Sequence, residues 1–174
     1  MENNFLETIL TAKREEIAAA KRVVPTAELQ AARRDAPPVR DFLAALRGRT
    51  GTIIAEIKKA SPSRGVIRED FDPHAIAAVY EANGAAAISV LTERSFFQGD
   101  SRYLASIRKT VGIPLLRKDF IVDPYQVYET RCLGGDALLL IARALPGAIL
   151  AQLIALTREL DMTPLVEVHD ENEL

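Results

Sequence analysis

The 174-residue sequence has one cysteine, two histidines and no tryptophan. Cys132 therefore has no partner for an internal disulfide, and nothing calls for an oxidising compartment. It lies in a helical apolar pattern over residues 128–133 and is expected to be a packed, inert thiol. His74 and His169 have no second histidine or cysteine at metal-ligand spacing, so zinc is not expected. His74 follows Asp72-Pro73 and reads as a surface residue. The sequence has no Gly-x-Gly-x-x-Gly, Gly-x-Ser-x-Gly or Walker spacing, which argues against a dinucleotide fold and a hydrolase elbow. With 22 basic and 24 acidic side chains, no cationic excess exists to neutralise a nucleic acid. The longest apolar stretch, 137–156, is broken by Arg143, Pro146, Gly147 and Gln152, and reads as strand, turn and helix rather than a membrane span. Residues 1–5 lack the basic and apolar regions of a secretory signal. A cytoplasmic protein without nucleic-acid or membrane partners is expected.

The residues that are present divide in two. Apolar side chains recur at helical spacing over 5–23, and shorter helices are expected over 27–33 and 39–46, ending before Gly48 and Gly51. Residues 1–50 thus read as an N-terminal helical extension that covers one end or edge of the larger second part. From 51 to 174 the pattern alternates. Strand-like runs at 52–58, 86–91, 113–118, 137–141 and 163–168 are separated by helices opened at Asp72-Pro73, Asp100, Asp123-Pro124 and Gly147, with another opening at Asp170-Glu171. Successive runs are 23–34 residues apart, the period of βα units in a parallel sheet. The class is α/β. A doubly wound sheet and a (β/α) barrel both fit; five strands satisfy the first and underfill the second.

Charged residues cluster at the C-terminal ends of these strands: Glu56 and Lys58, Thr92 and Glu93, Lys118 and Asp119, and Glu167. Ligands of parallel α/β sheets bind outside those ends. Strand alternation sends Glu56 and Lys58 to one side, where an acid beside an ammonium can serve general acid–base chemistry or simply close the mouth of a barrel. Lys118 ends an apolar run, where desolvation would favour proton donation; a solvated lysine is the plainer alternative. The loop 59–71 exceeds the roughly two to six residues usual in βα units. Its Ser61, Ser63, Arg64 and Gly65 could hydrogen-bond an anion. Phe96 and Phe97 could stack on an aromatic ring or line a core, and His169 lies within reach of the same face.

The blocks Glu56-Ile57-Lys58-Lys59-Ala60-Ser61-Pro62-Ser63, Ser89-Val90-Leu91-Thr92-Glu93 with Phe97 and Gly99, Arg117-Lys118-Asp119-Phe120, Leu138-Leu139-Leu140-Ile141 and Pro164-Leu165-Val166-Glu167-Val168-His169 resemble indole-3-glycerol phosphate synthase. The helix carrying Lys13-Arg14-Glu15-Glu16 resembles that family's N-terminal segment. The resemblance implies a cofactor-free (β/α)₈ barrel of tryptophan biosynthesis. Its substrate would be 1-(2-carboxyphenylamino)-1-deoxyribulose 5-phosphate, closed to an indole with loss of carbon dioxide and water. It further implies Lys118 as general acid, Lys58 as partner of the departing carboxylate, Glu56 and Glu167 as catalytic carboxylates, Ser61 on an anionic group, and Phe97 and Leu139 lining an apolar pocket. A full barrel typically takes about 250 residues. The 174-residue chain is therefore expected to form an incomplete barrel of about five βα units, inactive unless a complementary C-terminal segment is supplied. A non-catalytic fragment and another phosphate-binding barrel, such as phosphoribosylanthranilate isomerase, remain alternatives.

Overall fold

A computed structural model describes residues 2–47 and 51–173. Helix α1 (Glu2–Val23) stops before Pro25, and α2 (Thr26–Ala32) runs into a 3₁₀ turn, Arg33–Asp35. Helix α3 (Phe42–Leu46) is shorter than the expected 39–46, because the Asp41 carboxylate accepts the Ala44 N–H at 2.8 Å and starts the helix there. Upstream, the Arg40 N–H donates instead to Asp136 Oδ1 at 2.7 Å, holding 39–40 out of the helix. Gly48, read as part of that helix's stop, lies outside the described residues.

Strand β1 (Ile54–Ile57) leads into a small hairpin of β2 (Ala60–Ser61) and β3 (Gly65–Val66), where the sequence pattern predicts only a loop. Gly65 takes φ 64°, the left-handed conformation the tight hairpin requires. The chain continues through α4 (Pro73–Ala82), β4 (Ala87–Leu91), α5 (Arg102–Ile107), β5 (Leu115–Lys118), α6 (Pro124–Cys132), β6 (Ala137–Ile141), α7 (Gly147–Glu159) and β7 (Thr163–Glu167). Aspartates set the helix starts. Asp72 accepts from the His74 and Ala75 N–H groups, and Asp123 forms a capping box with Gln126. Helix α5 begins at Arg102, whose N–H donates to the Asp100 carboxylate at 2.9 Å. The residues after Asp170 form a 3₁₀ turn, Glu171–Glu173.

The five long strands lie in the order β1-β4-β5-β6-β7, every pair parallel. That order decides between the two architectures. A doubly wound sheet reverses direction at a switch point and carries helices on both faces. Here the order never reverses. Ile57, Ile88, Val90 and Leu115 pack beside Ala77 of α4 and Leu104 and Ile107 of α5, while Leu138 and Leu140 pack beside Val127 and Leu153 of α6 and α7. The alternate strand residues face the other way, so the sheet is the wall of an incomplete barrel.

The N-terminal helices close both ends of this wall rather than one. Phe42 of α3 packs with Ala87, Leu116 and Ala137 at the strand starts, while Leu10 of α1 packs with Leu139, Ile141 and Ala144 at the strand ends. At the strand starts, fully buried Asp136 accepts from the Leu115 N–H at 2.8 Å and from Arg108 Nη1 at 2.6 Å. It thereby ties β5, α5 and the segment before α3. No helix among the described residues is long and apolar enough to cross a membrane.

Candidate active site

The strand-end charges fall into two layers with different work. The lower layer is a buried network. Asp119 Oδ2 accepts from Thr92 Oγ1 at 2.6 Å and Arg117 Nη2 at 3.1 Å, and Arg117 Nη1 reaches Glu129 at 2.6 Å. Lys13, the lysine of α1, enters this layer with its side chain 2% exposed, 3.0 Å from Asp119 and 2.7 Å from Glu16. Burial alone raises the Asp119 carboxyl, but Arg117, Lys13 and Thr92 together hold it below the ordinary carboxylate range. Burial likewise acts to lower the Lys13 ammonium, and Asp119 and Glu16 outweigh it, leaving it above its usual value. Glu93 belongs here too. Its carboxylate accepts the N–H groups of Ser95, Phe96 and Phe97 and so folds the loop after β4. Thr92, Glu93 and Asp119, grouped by the sequence with the strand-end charges, thus hold the scaffold; Asp119 also borders the cavity above.

The upper layer lines a cavity of about 520 Å³ at the strand ends. Glu56 from β1 and Lys58 just after it, Lys118 from β5 and Glu167 from β7 all border it, beside Phe97, Phe120, Leu139 and Leu6. Lys58 Nζ donates to Glu56 Oε1 at 2.5 Å, each side chain 32% exposed. Lys118 Nζ stands 4.0 Å from Glu167 Oε2. The four groups are thus two acid–ammonium pairs facing one apolar-walled space. Lys118 is not desolvated as its apolar strand suggested: its side chain is 36% exposed, because it projects into the open cavity.

The remaining expected residues separate. Phe97 and Leu139 line the cavity, with Phe97 tilted against Phe120 at 6.5 Å. Phe96 turns away, edge-on to Phe5 of α1 at 5.5 Å. Ser61 sits on the β2–β3 hairpin and does not border the cavity. His169 does border it, 3.6 Å from Glu167 Oε1, while His74 is exposed beside Thr110. Arg143 and Leu6 also line the cavity, and neither is among the residues that the sequence pattern singles out. Arg143 comes directly after β6, so the strand-end rule that finds Lys118 could have found it. Leu6 comes from a helix distant in sequence and carries no such signal. Cys132 is half-buried, its Sγ donating to the Leu29 carbonyl at 3.3 Å, and burial pushes its thiol up.

Compared with known families, residues 6–174 match the model of indole-3-glycerol phosphate synthase. The chain belongs to that family. Among curated relatives, the indole-3-glycerol phosphate synthases of Chromobacterium violaceum and of Roseiflexus sp. are each 53% identical, the match covering 99% of this chain and 66% of theirs. That of Neisseria meningitidis is 50% identical over 98% of this chain and 67% of its own. The chain thus spans about two thirds of the length of these relatives.

Proposed function

We propose that this chain carries the ring-closing half-site of an indole-3-glycerol phosphate synthase, acting on 1-(2-carboxyphenylamino)-1-deoxyribulose 5-phosphate. The observation that supports it is the meeting of Glu56, Lys58, Lys118 and Glu167 around one cavity walled by Phe97 and Leu139. The reaction needs what this set supplies. As the aromatic carbon attacks the ketone, Lys118 gives a proton to the ketone oxygen and a carbon–carbon bond forms. Lys58 pairs with the ring carboxylate, whose bond to the ring then breaks, its electron pair restoring aromaticity as carbon dioxide leaves. Glu56 or Glu167 takes the proton from the adjacent methylene, and the hydroxyl leaves as water with a second proton from an ammonium. The apolar wall of Phe97 and Leu139 receives the aromatic ring and sets it beside the acid–ammonium pairs.

Turnover is proposed to require chain corresponding to the remaining third of the relatives, whether fused or added as a separate polypeptide. The test is a chimera of residues 1–174 with the C-terminal third of the Chromobacterium violaceum relative, assayed by indole fluorescence. Turnover that Lys118→Ala lowers by about 10²-fold or more supports the proposal, with residues 1–174 alone giving negligible product. A chimera that folds yet turns over equally well with Lys118→Ala contradicts it. A second reading, association without catalysis, draws on β1 and β7, each paired with one strand among the described residues. A chimera and every mixture remaining inactive while residues 1–174 self-associate would favour it. Binding of a plain sugar phosphate in preference to the aromatic carboxylate would instead point to a phosphate-binding isomerase.

A further inference from the structure

Strand β4 reads Ala87-Ile88-Ser89-Val90-Leu91, all five residues buried, with one polar side chain. Ser89 is 5% exposed, and its Oγ is the buried side-chain polar atom without a hydrogen-bond partner among the described residues. Native interiors rarely leave such a group unpaired unless it has a use. Here the surroundings identify one.

Ser89 borders the interior space of about 390 Å³ that Glu56, Lys118 and Glu167 also line. In the parallel register Glu56 lies directly beside Ser89 on the neighbouring strand, at a backbone spacing of about 4.8 Å. On the other side Ser89 faces Leu116, and Lys118 lies beside Leu91, one layer higher. The polar neighbours of Glu56 in this space are therefore a hydroxyl on β4 and charged groups farther round the wall, with Lys58, just after β1, reaching it from the cavity at the strand ends. Lys58 Nζ engages Glu56 Oε1. If Lys58 turns to a substrate carboxylate, Glu56 loses that contact, and the buried, unpartnered Ser89 hydroxyl on the adjacent strand is the donor placed to replace it.

We infer that Ser89 is a positioning residue: its hydroxyl donates to the Glu56 carboxylate when Lys58 leaves it. This rests on the proposed role of Lys58 toward the substrate carboxylate. The hydroxyl keeps the carboxylate aimed into the cavity and supplies no proton to the substrate itself.

The test uses residues 1–174 labelled with ¹³C at glutamate side-chain carboxyls, so it reads the contact without depending on turnover. The Glu56 resonance is assigned by its loss in Glu56→Gln, and Lys58→Met removes the competing ammonium. In the Lys58→Met background, Ser89→Ala is expected to move the Glu56 resonance by more than its linewidth, and Ser89→Thr to return it. With Lys58 present, the same pair of substitutions is expected to move it less. Should Ser89→Ala not fold, Ser89→Cys, a weaker donor of similar size, takes its place with an intermediate displacement expected. A Glu56 resonance indifferent to Ser89 in the Lys58→Met background, or Ser89→Thr behaving as Ser89→Ala, overturns the inference. An inactive chimera with the resonance behaving as expected would overturn the synthase reading while leaving the Ser89–Glu56 contact standing.

Discussion

Replacing Lys13 by methionine removes a charge that the fold has taken almost wholly out of water, and its cost can be worked from the contacts. The ammonium stands 3.0 Å from Asp119 and 4.0 Å from Glu93, whose side chains are 1% and 2% exposed. Removing one partner of a buried ion pair typically costs about 3–5 kcal/mol. Two features pull the value down. Asp119 keeps Arg117, Thr92 and the Phe120 N–H, and Glu93 keeps three backbone donors. The third contact, with Glu16, is to a side chain 37% exposed and adds only a few tenths. Methionine also fills the apolar part of the channel. The expected loss is about 2–3 kcal/mol, or roughly 5–10 °C in melting temperature for a chain of this size, measured by circular dichroism with urea titration as a check. Because Lys13 anchors α1 on the loop beginning at Asp119, amide exchange along α1 should accelerate more than exchange in α7. A Lys13→Met protein within about 0.5 kcal/mol of the parent, with α1 exchange unchanged, would refute the reasoning. The other contacts of α1, Leu10, Phe5 and the Lys21–Asp123 pair among them, would then suffice to hold the helix.

The same contacts have other measurable consequences. Asp136→Ala strands the Arg108 guanidinium and the Leu115 and Arg40 N–H groups, so a loss of at least about 3 kcal/mol is expected, with the Leu115 amide losing exchange protection. The Asp119 carboxyl is held below its unfolded value. The stability it contributes is therefore present above about pH 4 and lost as pH falls through the folded value. Asp119→Asn should be less stable at neutral pH and show a flatter acid limb in urea titrations between about pH 2 and 5. An unchanged limb would contradict this. Gly99→Ala would put a Cβ 2.5 Å from the Leu91 carbonyl oxygen, costing about 1–3 kcal/mol and displacing the loop that carries Phe97. Cys132, with its thiol raised by burial, should react with a disulfide reagent at neutral pH more slowly than a free thiol; equal rates would contradict that.

The fold was legible where local chemistry and periodicity agreed. The Asp-Pro starts of α4 and α6 and the buried runs of β4 and β6 needed no tertiary information. The β2–β3 hairpin was not legible, because two-residue strands carry no period. The order of strands, which the repeat spacing leaves open, comes from their pairing, and the crossover helices α4 to α7 all lie on one face. At the site, the strand-end rule, with alternation for Glu56 and Lys58, directs attention to residues that border the cavity, Lys118 among them. The same rule could not tell a cavity-facing Lys118 from a buried Asp119 one residue on, since that depends on Lys13, more than a hundred residues away in sequence. Ser89 carries no signal in the sequence pattern; its burial and its register with Glu56 give it meaning.

The central claim, that groups from three separate strands face one small cavity, is tested most directly by thiol bridging in a Cys132→Ser background. A fluorogenic bifunctional maleimide spanning about 10 Å, two strand spacings, fluoresces only after both of its arms have reacted, so it reports two cysteines that face one space from alternate strands. Glu56→Cys with Lys118→Cys, and Lys118→Cys with Glu167→Cys, are predicted to give bright monomeric products, whereas Lys118→Cys with Arg158→Cys, on α7 outside the wall, is predicted to stay dark. Dark products from the two cavity pairs in folded protein would contradict the account.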